Sequence, residues 1–195
     1  MGEAAATSVL EPLRARMAAA SWTSATLTAP PERAQIGVRA RGDAVALAAA
    51  TLGIPRLPEP NRVLPARTGE CFWLGPSEWL WVGNPEDRGV LLEALEAAMG
   101  EADGAAVDLS SSRVIVDLKG ASAEEVLSSC CALDLHPHVF APGQCAQTLV
   151  AKAPVLLTQL DRAPTYRVFV RPSFASYVVS WLTDGMEGVR AVVPE

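Results

Sequence analysis

The chain passes through one order of elements twice, and that repetition limits its fold more than any single motif does. Residues 35–41 alternate apolar and polar side chains around Ile36, Val38 and Ala40, the period-two mark of a strand. Asp43, behind Gly42, predicts a helix N-cap. Ala44, Leu47, Ala48, Thr51 and Leu52 then share a helical face, and Gly53 stops the helix. Residues 54–68 hold Pro55, Pro58, Pro60 and Pro65, which predicts an extended linker with at most one short strand. Two strands, 70–74 and 78–82, flank a Gly75-Pro76-Ser77 turn. Asn84-Pro85 opens a second helix with Leu91, Ala94, Leu95, Ala98 and Met99 on one face, and Gly100 closes it.

From residue 113 the order returns. Residues 113–118 read as a strand. Ser122 and Glu125 form a capping-box pattern, and Ala123, Val126, Leu127, Cys130 and Cys131 line a helical face. Strands follow at 146–151, 153–160 and 166–170, rich in Val, Leu, Thr and aromatics. Ser173 then caps a last helix whose inner face reads as Phe174, Tyr177, Val178, Trp181 and Leu182. Each half is thus strand, helix, two or three strands, helix. The fold class expected is α+β: two related strand-helix-strand-strand-helix units, with mainly antiparallel sheets and helices on one face. The expected division is an N-terminal arm at 1–33, holding a short helix over 11–20 and ended by Pro30-Pro31, a first unit at 34–104 and a second at 105–195. The joint falls in the stretch Glu101-Ala102-Asp103-Gly104.

Composition narrows the function classes. Half of the 195 residues are hydrophobic and 19% are charged, which suits a globular chain. A net charge of −6 argues against a nucleic-acid binder, which needs basic residues to neutralise phosphates. Cys71, Cys130, Cys131 and Cys145 fit no zinc spacing, and adjacent Cys130-Cys131 is a poor disulfide pair, so reduced and mostly buried thiols are expected. Glu3 stands where a secretory leader needs a basic residue, and no apolar run approaches the roughly 20 residues of a membrane span. A cytoplasmic protein without a membrane partner is expected.

Side chains that bear chemistry are sparse. His136-Pro137-His138 holds both histidines, and two ligands do not complete a zinc site, so no metal site is expected. Gly120-Ala121 and Gly75-Pro76-Ser77 make no Gly-x-Gly-x-x-Gly fingerprint, and Ser110-Ser111-Ser112 lacks a nucleophile-elbow context. No catalytic residue is assigned. Trp79 and Trp81 share one strand face, which reads as core, while aromatics such as these and nearby Trp73, with Arg113, Arg167 and Arg171, are also residue types that protein interfaces favour.

Six runs carry a resemblance. They are Trp73-Leu74-Gly75-Pro76-Ser77-Glu78-Trp79-Leu80, Val107-Asp108-Leu109-Ser110, Leu133-Asp134-Leu135-His136-Pro137, Pro142-Gly143-Gln144-Cys145-Ala146-Gln147-Thr148, Ala153-Pro154-Val155-Leu156-Leu157 and Val170-Arg171-Pro172-Ser173-Phe174. In these the chain resembles the gamma subunit family of heterotetrameric sarcosine oxidase, itself similar to a reduced aminomethyltransferase fold of the glycine-cleavage T-protein type. In that fold an Asn-Asp pair follows the strand–helix unit and tetrahydrofolate is cradled. Here Asp134 remains, with Leu133 in place of the Asn, and Ala153-Pro154-Val155 replaces an acidic turn. The resemblance makes Asp134 the one folate-type candidate, against its plainer reading as a turn acceptor.

The resemblance implies a non-catalytic scaffold in a complex that demethylates sarcosine oxidatively to glycine, yields hydrogen peroxide and passes a one-carbon unit to tetrahydrofolate. It implies alpha, beta and delta subunits as partners. FAD, FMN, NAD and the folate site would lie on alpha and beta, zinc on delta, and no cofactor on this chain. Two alternatives stand beside it: an independent tetrahydrofolate-binding or aminomethyl-transferring protein, and a stand-alone domain with another partner.

Overall fold

The computed structural model describes residues 8–192. The leader reading at Glu3 lies outside them. Two compact units form. One comprises Pro31–Arg113 with Gly143–Gln147, the other residues 8–30, 114–142 and 148–192.

The first unit is built on β2 (Ala34–Ala40), β3 (Val63–Ala66), β4 (Gly69–Gly75), β5 (Glu78–Gly83) and β6 (Gly104–Asp108), following β1 (Thr26–Thr28) in the chain. Its sheet order is β3-β4-β5-β2-β6, with every pairing antiparallel. Helices α2 (Asp43–Leu52) and α3 (Arg88–Met99), which follow α1 (Arg14–Ala20) in the chain, pack on one another and on this sheet. Ala44, Ala48, Ala49 and Leu52 of α2 and Leu95 and Met99 of α3 join Ile36, Val38, Trp79 and Trp81 in one core. The alanine-rich face of α2 lets the helix lie close to the strands. Gly53 ends α2 at φ 70°, the left-handed conformation that a C-cap glycine supplies.

The second unit has the sheet order β1-β7-β10-β9-β8, from β7 (Val114–Lys119), β8 (Cys145–Val150), β9 (Ala153–Asp161) and β10 (Thr165–Val170). Helix α4 (Ala123–Ser128) packs on α5 (Ala175–Val192), and so does α1. All six residues of β10 are buried, Thr165 and Arg167 among them, as suits a central strand covered on both faces.

Aligned on their sheet orders, the units match strand for strand. β3-β4-β5-β2-β6 corresponds to β8-β9-β10-β7-β1. The edge strands are exchanged. β1 precedes β2 in the chain but pairs with β7, with Leu27 opposite Leu118. β6 precedes β7 but pairs with β2, with Val38 opposite Ala106. This corrects the division expected at 33/34 and 104/105. Residues 8–30 of the expected arm are an integral part of the second unit, and the joint near residue 104 is the start of a strand of the first. The physical reason is that Gly104-Ala105-Ala106 has weak strand propensity and registers as a strand only through its ladder to β2.

Three cap expectations also shift. Gly42 occupies the N-cap of α2, with Asp43 inside the helix. Ser122 sits at the N-cap of α4 without a side-chain cap bond, and its backbone N–H donates to the Ser24 carbonyl instead. Ser173 lies inside a 3-10 turn, Pro172–Phe174, which leads into α5.

Candidate functional site

Asp134 follows α4 in an exposed turn. Its Oδ1 accepts the backbone N–H of His136 at 3.0 Å, closing an Asx-type turn. His136 Nδ1 accepts the His138 N–H at 3.3 Å, and the two imidazoles stack with centroids 5.2 Å apart. The carbonyl of His136 accepts from Val139 and Phe140. The segment therefore folds on its own polar groups, and it buries Leu135 and Phe140 beneath them. Among the described residues no cluster of three or more His, Cys, Asp or Glu side chains is placed to hold a metal ion.

The thiols are held as thiols. Burial pushes Cys71 up to about 12, with Cys145 adding to the shift, and pushes Cys145 to about 11. The Cys145 thiol points at the carbonyls of Arg62 and Trp73, at 3.5 and 3.6 Å. Cys130 is raised to about 11, by burial first and by Cys131 second. Thiolate is the nucleophile, so these positions are poor nucleophiles near neutrality.

The serine run is a structural knot. Asp108 Oδ1 accepts both the Ser110 N–H at 2.9 Å and the Ser110 hydroxyl at 2.6 Å. Ser110 Oγ in turn accepts the Gln35 N–H at 3.0 Å. Arg88 stands 3.3 Å from Asp108. The two Ser110 bonds, with Arg88 helping, hold the Asp108 carboxyl below its ordinary value.

Of the interface-type residues, Trp79 and Trp81 are core, and Trp79 donates its indole N–H to the Pro58 carbonyl at 2.9 Å. Arg167 faces Asp117 across the β7–β10 ladder in a bidentate pair, both bonds 2.8 Å, with side chains only 10% and 13% exposed. It is committed to the interior. Arg113 lends its carbonyl to the Gln35 side-chain amide at 2.9 Å.

What the molecule does present is the outer side of α5. Its buried face is Ala175, Val178, Val179, Leu182, Thr183, Met186 and Val189. Phe174 and Trp181, expected on the inner face, are 37% and 43% exposed, and Tyr177 is half-buried beside Trp181 with ring centroids 6.3 Å apart. The sequence held the signal: Ala175, Val179, Met186 and Val189 mark a second apolar face that shares Val178 and Leu182 with the first.

Comparison with known proteins places this arrangement. The family model of the sarcosine oxidase gamma subunit matches residues 40–187. The sarcosine oxidase subunit gamma of Arthrobacter sp. is 38% identical over 157 residues, covering 78% of this chain and 75% of the relative. That of Corynebacterium sp. strain U-96 is 36% identical over 137 residues, covering 66% of this chain and 65% of the relative, just under two thirds of its length. Among solved structures, a chain of the heterotetrameric sarcosine oxidase from Corynebacterium sp. U-96, in complex with pyrrole 2-carboxylate, is similar with TM-score 0.88 and 32% identity over 97% of this chain and 98% of that one. The glycine cleavage system aminomethyltransferase T from Bartonella henselae shares the fold, with TM-score 0.62 at 17% identity over 86% of this chain and 47% of that one. On the family match and these identities, the chain belongs to the sarcosine oxidase gamma subunit family.

Proposed function

We propose that this chain is the gamma subunit of a heterotetrameric sarcosine oxidase and serves it as a scaffold. In this reading alpha and beta bear FAD, FMN, NAD and the tetrahydrofolate site, and delta bears zinc. The complex converts sarcosine to glycine with release of hydrogen peroxide and transfer of the one-carbon unit to tetrahydrofolate. The observation that carries the reading is the end-to-end fold match to one chain of such an oxidase, 97% of this chain on 98% of that one. The use of polar side chains supports it: Asp134 closes a turn, Arg167 a ladder, and Asp108 and Ser110 a strand junction. A scaffold works by shape, and these groups are spent on shape.

The test is co-expression with the alpha, beta and delta subunits, read by native mass spectrometry. A one-to-one-to-one-to-one complex is expected, and an equally stable complex assembled without this chain would overturn the reading. Calorimetry of the chain alone with tetrahydrofolate is expected to give no heat. Binding that Asp134→Ala abolishes would replace the scaffold with an independent folate-binding protein.

A further inference from the structure

The match between the two units extends from strands to single residues. β5 and β10 are six residues each, and each leads through a proline-opened 3-10 turn, Pro85–Asp87 or Pro172–Phe174, into the last helix of its unit. On this frame Leu95 and Met99 of α3 fall at the positions of Leu182 and Met186 of α5, and all four are buried. The ladders carry the frame to the sheet edges. Trp79 and Tyr166, each second in its strand, pair with Val38 and Leu118, and these pair in turn with Ala106 of β6 and Leu27 of β1.

In the second unit the corner between the last helix and the edge strand is covered. Helix α1 lies on α5, leads into β1 and buries Met17. Arg16 donates to Ser180 Oγ at 2.8 Å and Thr183 Oγ1 at 3.1 Å, and it pairs with Asp184 at 3.2 Å. Ser21 Oγ accepts the Leu27 N–H at 3.0 Å.

The first unit has no counterpart of α1 among the described residues, because β6 follows α3 directly. The positions of Ser180, Thr183 and Asp184 are taken by Glu93, Glu96 and Ala97, all exposed. Neither carboxylate has an ion pair or a side-chain hydrogen bond among the described residues. The Leu109 N–H donates to the Gln35 carbonyl and the Arg41 N–H to the Asp103 carbonyl, both at 2.8 Å. Alternation along the ladder therefore turns the Ala106 N–H off the sheet edge. This counterpart of the Leu27 N–H has no partner among the described residues. Val107 beside it is 55% exposed, and Val90 of α3 75%.

The second unit shows what closes such a corner: a short helix with an arginine next to its buried apolar residue. The charges of the first unit ask for the same kind of element. Glu93 and Glu96 stand one turn apart, and Arg88 of the same helix is already held by Asp108 at 3.3 Å. Such a surface attracts a basic partner and repels an anionic lipid surface. A second copy has no free helix to offer, because α1 is engaged in its own unit with Met17 2% exposed.

We infer that α3 and the edge of β6 form the seat of a short, basic, amphipathic helix from another subunit of the oxidase, its Arg or Lys lying on Glu93 and Glu96. The inference rests on the scaffold reading above, which supplies the other subunits.

The experiment is co-purification with tagged alpha, beta and delta subunits, alongside thermal unfolding of each isolated chain. The wild type is compared with two double variants, Glu93→Lys with Glu96→Lys and Glu32→Lys with Glu187→Lys. The first is expected to weaken association at least roughly ten-fold. Its isolated chain should melt like wild type, since both side chains are exposed and unpaired. The second makes the same change of charge on exposed residues elsewhere and should co-purify like wild type. A photo-crosslinking amino acid in place of Ala97 is expected to capture a helix of another subunit that carries Arg or Lys beside an apolar residue. Capture of a second copy, of an acidic or extended segment, or of no subunit would overturn the inference. So would a first variant that co-purifies like wild type, or a second that fails equally. Each of these leaves the scaffold reading standing, whereas failure of the wild type to co-purify would overturn both.

Discussion

At the scale of single residues, the Arg167–Asp117 pair is the most exacting arrangement in the molecule. Two bonds of 2.8 Å between side chains 10% and 13% exposed make an ion pair whose members each depend on the other. Removing one leaves a largely buried charge without its partner, which typically costs about 3–5 kcal/mol, whereas replacing both by apolar residues of similar size is often neutral. Arg167→Ala should therefore lower the urea-unfolding free energy by about that amount, and Arg167→Met with Asp117→Leu should recover most of it. An Arg167→Ala loss under about 1 kcal/mol, the range of an exposed pair, would contradict this account. The thiols set the alkaline limit. Cys71 titrates near 9.0 when unfolded and about 12 when folded. Above pH 9 the unfolded chain releases that proton while the native chain retains it, so stability falls as pH rises from 9 toward 12. Unfolding followed between pH 8 and 11 should show the decline, and Cys71→Ala should make it shallower, leaving the part that Cys130 and Cys145 contribute. Asp108 acts at the other end. Its lowered value makes its contribution present above the ordinary carboxylate range and lost as pH falls below about 3.8.

At the scale of elements, the turn between β7 and α4 is governed by Gly120. Its φ of 128° lies in a region that other residues reach only under strain, and a Cβ there would run into the Ser24 carbonyl and lie 3.1 Å from the Ala25 Cα. Gly120→Ala should cost ~1–3 kcal/mol from backbone strain, with the clash adding to it, and its measured unfolding curve should shift accordingly without loss of helix content. The same glycine stands in the sequence as an ordinary turn residue, because what it avoids is a segment nearly a hundred residues earlier. This contrast runs through the chain. Strands β2 and β7 are legible from alternation, and β4, β5 and β10 from their aromatic and β-branched content. Two features are not. β6, Gly-Ala-Ala-Val-Asp, has no strand signal of its own and exists through its ladder to β2. In α5 the apolar residues cover more than half the circumference, so two heptad-like faces compete. Bulk favours the aromatics, but close packing favours Ala175, Val179, Met186 and Val189. The candidate surface is thus written in the sequence as a surplus of apolar residues, and only packing decides which of them remain outside.

At the scale of the whole molecule, the exchanged edges decide what can be removed. Each unit's sheet is completed by an edge strand that stands, in sequence, next to a strand of the other unit: β1, before β2, pairs with β7, and β6, before β7, pairs with β2. Residues 8–30 are therefore core material, although they read as an arm. They bury Leu10, Met17, Trp22 and Leu27, each under 9% exposed. Full burial of such a side chain is worth about 1.5–3 kcal/mol, so the four together amount to about 6–12 kcal/mol, the size of a typical domain's whole stability of about 5–15 kcal/mol. A chain beginning at residue 31 keeps every strand of the β3-β4-β5-β2-β6 sheet and loses the edge of the other. Amide hydrogen exchange on that truncated chain should show protection retained in β2 and β5 and lost in β7, whose partner on one side has gone. Protection preserved equally in β7 would mean that β1 is dispensable and that residues 1–33 behave as the detached arm their sequence suggests. Loss in both sheets at once would mean that the two units unfold as one cooperative body, with the exchanged strands coupling them.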